Sequence, residues 1–203
     1  MQKIMFNDRY GLTDAVIDYI KNNTRRIEGG EQFQRAATSA EDFTYEEDTG
    51  CIVMCCQGIE IFRHKCRYKV GEVVAVAQSY EQAYCQGNMD ADDAIIRGLK
   101  YDPGMCNKMY VRAALMPHQI RIIGIKCEQL QSISHDDAMR EGIYMDGGDD
   151  SYMPHYFYDY PNNPSDGFNT PREAFASLID RVSGKGTWAS NPWVVAYEFE
   201  LVK

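Results

Sequence analysis

Apolar residues first recur along the chain at a helical spacing. Val16, Ile17 and Ile20 share one face, Leu12 is placed to staple against Ile17, and Thr13 is the expected N-cap with Asp14 in the first turn. The helix is expected to end near Lys21, because Asn22 and Asn23 favour turns. That places Lys21, Thr24, Arg25 and Arg26 on a helix end and the loop after it. Residues 28–50 are mostly polar, broken by Gly29 and Gly30 and acidic over 41–48, and read as a long irregular excursion. The pattern then shifts to short apolar runs. Strands are expected over 52–56 and 59–62, turning at Gln57 and Gly58, and over 72–77, where Val73, Val74 and Val76 mark a buried strand. Further strands are expected over 109–112 and 119–130, with Pro117 breaking between them.

Two capping signatures follow. Ser134 with Asp137 predicts a helix over 135–141 stopped by Gly142, with Glu141 in its last turn. Thr170, Pro171 and Glu173 open a better-defined helix, in which Phe175, Leu178, Ile179 and Val182 form one stripe and Gly184 supplies the stop. A last strand over 193–202 alternates Val195, Tyr197, Phe199 and Leu201 with Ala196, Glu198 and Glu200. Short strands, two main helices and a C-terminal strand predict an α+β fold built on a small mixed β-barrel flanked by helices. Residues 1–203 are read as one domain with two loop insertions, at 82–107 and 146–169. The first should carry a short helix begun by Asp90 and continued by Ala94, Ile95 and Leu99. The second holds Tyr152, His155, Tyr156, Phe157, Tyr158 and Tyr160, which either stack on bases or pack the loop onto the body.

Composition narrows the class. A hydrophobic fraction of 44% and an aromatic fraction of 12% over 203 residues suffice for a packed core. No apolar run is long enough to cross a bilayer, and residues 1–10 lack an apolar signal core, so a cytoplasmic location and no membrane partner are expected. Seven cysteines without a CxxC knuckle are expected to be mostly reduced, buried hydrophobes, with no metal and no organic cofactor. The net charge of −9 excludes bulk electrostatic coating of nucleic acid. Two local basic groups remain, Lys21, Arg25 and Arg26, and the cluster of Arg63, His64, Lys65, Arg67 and Lys69.

Three segments carry a resemblance. Lys21, Thr24 and Arg26 after a helix, then Tyr68, Val70, Gly71 and Glu72 entering a strand, then the ending over 188–199, resemble the ASCH family of the PUA-like fold. The family pattern at the first segment is Gly-x-Lys-x-x-Glu or Thr-x-Arg, and here Tyr19 stands at the glycine position. The chain looks like the prophage or mobile-element type from gut bacteria. The resemblance implies a cleft beside the barrel for RNA or a modified nucleoside, lined by Arg25, Arg26, Arg63, Lys65, Arg67 and Tyr68. Some small bacterial members are amidohydrolases that deacetylate acetylcytidine. Their Lys, Thr and Glu match Lys21, Thr24 and Glu141.

That chemistry has a physical basis. A threonine hydroxyl needs a base to act as a nucleophile. Lys21 serves only if burial or neighbouring cations lower its pKa. Glu141 can relay a proton or position water, and Arg26 can hold an oxyanion or a phosphate. The plain structural alternative has Lys21 complementing its helix dipole, Thr24 capping a turn and Glu141 pairing with Arg26. Three functions are therefore expected in competition: binding of RNA or a nucleoside, amide hydrolysis, and recognition of a protein partner.

Overall fold

The computed structural model describes residues 1–85, 98–146, 155–159 and 167–202. The fold is mixed α+β. Among the described residues the strands form three sheets, none closed into a barrel. The largest has five strands, β1 (Lys3–Ile4), β6 (Val73–Val76), β7 (Gln119–Gln129), β10 (Trp193–Leu201) and β2 (Asn23–Arg26), in the order β1-β6-β7-β10-β2. Only β1 runs parallel to its neighbour; the other pairs are antiparallel. A second sheet holds β3 (Asp42–Glu46), β4 (Cys51–Cys56) and β5 (Ile59–Lys65), and a third pairs β8 (Tyr144–Asp146) with β9 (His155–Phe157).

The hairpin forms where expected, with Gln57 and Gly58 both at positive φ (51° and 74°), as a two-residue turn between twisted strands requires. It is longer than expected, because β5 continues to Lys65. Residues 28–50 are not irregular. They contain α2 (Gly30–Ser39), which buries Phe33 and Ala37 one turn apart, and then β3. The segment 109–112 forms no strand and leads into a 3-10 turn, Ala113–Leu115. The helix α3 (Tyr80–Cys85) is a further element that the sequence pattern does not predict. The expected helix at Asp90, Ala94 and Ile95 lies outside the described residues, as do Tyr152 and Tyr160.

The first helix, α1, spans Leu12–Ile17 and is capped by Gly11, not Thr13, whose hydroxyl donates to Asp8 Oδ1. Its end is a Schellman motif. Ile20 N–H donates to Ala15 O (2.9 Å), Tyr19 N–H donates to Val16 O (3.2 Å), and Tyr19 takes φ +62°. Residues 23–26 are therefore a strand, not a loop.

The helices α4 (His135–Arg140) and α5 (Pro171–Ser183) form as expected. Ser134 Oγ accepts from Asp137 N–H, and the Thr170–Glu173 capping box is complete. Glu141 is the C-cap of α4 and not part of its last turn. Phe175, Leu178 and Ile179 of α5 are buried, whereas Val182 is exposed. Along β10 the expected alternation gives way to burial on both faces, since Val194, Val195, Ala196 and Tyr197 are all covered. A short final helix, α6 (Thr187–Ser190), packs against α5, with Trp188 edge-on to Phe175 at 6.1 Å.

All seven cysteines are free. Cys51 and Cys66 are buried, Cys55, Cys56 and Cys127 half-buried, and Cys85 and Cys106 exposed, so fewer are buried than expected. No helix among the described residues is long and apolar enough to cross a membrane.

Candidate functional site

Strand β2 lies at the edge of the five-stranded sheet, where unpaired backbone groups need a cover. The end of α4 pairs with the two residues just before β2. Asn22 N–H donates to Arg140 O (3.0 Å), and Lys21 forms an isolated antiparallel bridge with Glu141. Two side chains 120 positions apart in the chain meet there.

Lys21 Nζ donates to Glu141 Oε2 (2.6 Å) and to Glu141 O (2.7 Å), with both side chains almost wholly buried. Arg25 Nη1 donates to the other oxygen, Oε1, at 2.9 Å. The Arg25 side chain is 0% exposed and also reaches Glu128 (2.6 Å) and Asp137 (3.1 Å). Lys126 in turn binds Asp137 (3.0 Å) and Glu128 (3.1 Å). Glu141 is thus oriented through both oxygens.

Burial lowers the Lys21 pKa below its ordinary 10.5, and the Arg26 and Arg25 charges act in the same direction against the pull of Glu141. For Arg25, desolvation opposes the charged form, but Glu141 and Glu128 outweigh it and the pKa rises. Asp137 is also desolvated, yet its bonds to Lys126 and Arg25 hold its carboxyl below the usual value.

A cavity of about 420 Å³ opens beside this cluster. Its wall includes Lys21, Thr24, Arg26, Glu28, Arg67 and Glu141, with Phe6 of the loop after β1 and Phe175, Leu178 and Ile179 of α5 as the apolar side. Thr24 pairs with Tyr197 across β2 and β10, which sets its side chain on the cavity face; its hydroxyl makes no hydrogen bond among the described residues. Arg26 donates to Met5 O (2.9 Å) and stands over the Phe6 ring at 6.0 Å. Lys21 Nζ lies 5.8 Å from the same ring.

Glu28 also lines the cavity. It accepts from Tyr197 OH (3.0 and 3.1 Å) and faces His64 Nε2 at 3.3 Å, while Tyr197 OH accepts from Arg67 N–H (3.0 Å). Desolvation and the Glu28 charge raise the Tyr197 pKa, so its hydroxyl stays a donor.

The fold therefore brings Lys21, Thr24, Arg25, Arg26, Arg67 and Glu141 to one cavity. It does not bring Arg63 or Lys65 there. Arg63 pairs with Glu46 and Glu60, and Lys65 donates to Thr49 O, all on the three-stranded sheet. Tyr68 is a core residue, 1% exposed and edge-on to Tyr197 at 5.3 Å. Arg25 reaches Glu141, Glu128 and Asp137, so it is engaged by protein carboxylates. The partner of Glu141 is Lys21 with Arg25, not Arg26. Sequence reasoning missed Phe6 and Glu28; Glu28 had a usable signal, since it falls two residues beyond Arg26 along the same chain direction. Tyr158 is buried against Tyr10 (6.0 Å) and Phe168 (5.8 Å), so it packs instead of stacking on a ligand.

Compared with protein-family models, curated proteins and solved structures, the chain matches none.

Proposed function

We propose that the cavity accepts a nucleoside-type ligand and that Lys21, Thr24 and Glu141 hydrolyse an amide on its exocyclic amine, as the resemblance to ASCH amidohydrolases implies. The observation that carries this reading is the convergence of a buried lysine of lowered pKa, a carboxylate oriented through both oxygens and an unbonded threonine hydroxyl in one cavity.

The steps balance without a cofactor. Neutral Lys21 takes the Thr24 proton as Oγ1 attacks the acyl carbon, and the cationic lining favours the oxyanion. Collapse breaks the C–N bond while the Lys21 ammonium returns the proton to the leaving nitrogen. Water then attacks the threonine ester, giving its proton to Lys21. A second collapse frees the carboxylic acid and restores the Thr24 hydroxyl. Glu141 holds the Lys21 amine in place throughout.

The test is incubation with acetylcytidine and related acylated nucleosides, followed by chromatography. Lys21→Ala and Thr24→Ala should each reduce turnover about 100-fold or more while circular dichroism is unchanged. Full turnover by Thr24→Ala would remove it as the nucleophile. The charged Lys21–Glu141 pair favours a second reading, binding without turnover, and saturable binding with no product from any amide would select it.

A further inference from the structure

We propose that this cavity holds a phosphate subsite formed by Arg26 and Arg67, so that the ligand enters phosphorylated and not as a free nucleoside. The inference rests on the nucleoside reading above and adds the charge of the ligand to it.

Among the lining residues are four cations, Lys21, Arg25, Arg26 and Arg67, and two carboxylates, Glu28 and Glu141. Lys21 and Arg25 are taken by Glu141, and Arg25 also by Glu128 and Asp137. The Glu28 oxygens face Tyr197 and His64. Arg26 and Arg67 are left without a carboxylate among the described residues.

Arg26 is also fixed in place. Met5 O holds Nη2, Phe6 lies beside the guanidinium, and Nε is buried with no acceptor. A buried guanidinium N–H with no acceptor is costly, and a ligand oxygen removes that cost. Arg67 is exposed at the same cavity, and its backbone is anchored through Tyr197. Two guanidinium forks match phosphate oxygens in geometry and charge, and the Phe6 ring offers an aromatic face for a base. The excess of cations is local, in a chain whose net charge of −9 repels phosphate elsewhere.

Isothermal titration with cytidine, cytidine monophosphate, a cytidine-containing dinucleotide and inorganic phosphate tests this, using the wild-type chain, Arg67→Ala and Arg26→Lys. A phosphorylated probe should bind about ten-fold or more tighter than cytidine, lose that advantage in both variants and weaken with salt. Preference for the monophosphate identifies a free nucleotide as the source, and preference for the dinucleotide identifies RNA. Equal affinity for cytidine and both phosphorylated probes overturns the subsite while leaving the nucleoside reading intact, and a phosphate preference that survives both substitutions overturns it as well. Binding of inorganic phosphate that Arg67→Ala abolishes, with no binding of any cytidine-bearing probe, keeps the subsite and defeats the nucleoside reading.

Discussion

Lys21 is subject to opposing forces, since burial disfavours its charge and Glu141 favours it, and burial prevails. If Lys21 is the base, kcat/KM for amide hydrolysis should rise with pH along a limb lying below 10.5, because the ammonium has no lone pair. A profile flat across the neutral and mildly alkaline range would rule it out as the base. The sign for stability is the same. The unfolded chain holds this proton more tightly, so between the folded value and 10.5 Lys21 makes stability rise with pH. Asp137 acts at the other end of the scale. Its lowered pKa contributes stability that is present above the ordinary 3.8 and lost as pH falls through the folded value. Urea midpoints of Asp137→Asn should therefore depend less on pH in the acid range than those of the wild type. Glu141→Ala leaves two buried cations short of a partner and should cost about 3–5 kcal/mol, whereas Lys21→Met with Glu141→Leu should recover much of that loss. Equal losses in the two variants would show that the pair itself carries the stability.

At the level of elements, local signals and burial parted company. The helix α5 was legible because its capping box, its proline and its stripe are all local, and Thr170→Ala should lower stability by about 1 kcal/mol, read as a shift in urea midpoint. The helix α2 was not, because only Phe33 and Ala37 are fully buried in it; their i, i+4 spacing, with half-buried Ala36 and Ala40, was the available signal. The turn after α1 falls where the sequence pattern predicts helix as far as Lys21. Its Schellman geometry places Tyr19, 75% exposed, in a left-handed conformation that glycine adopts without strain, at the position where the ASCH pattern has glycine. Tyr19→Gly should accordingly stabilise the fold by about 1 kcal/mol. A loss of stability would mean that the Tyr19 ring makes contacts worth more than the backbone strain.

At the level of the molecule, β6 serves two clusters. Val74 and Val76 lie in the main core, while Ala75 and Ala77 face a smaller one with Tyr80, Leu99, Val111 and Met116. A strand shared in this way couples both clusters, so Met116→Ala should cost about 2–5 kcal/mol and lower the urea midpoint with an unchanged slope. A biphasic transition would instead reveal separately folding parts. The same scale divides what could be read in advance from what could not. The strand over 119–129 and the two capping signatures are properties of neighbouring residues, and the amino-acid order determined them, whereas the candidacy of Lys21, Thr24 and Glu141 came from the resemblance to a known family. Which arginines are free was decided elsewhere. Arg25 and Arg26 are adjacent and both line the cavity, yet Arg25 is held by Glu128, Asp137 and Glu141 while Arg26 has no carboxylate among the described residues. Arg63 and Arg67 are four apart, yet only Arg67 reaches that cavity. The partners of Arg25 come from β7 and from α4 and its C-cap, more than a hundred residues away, so only tertiary packing could assign them.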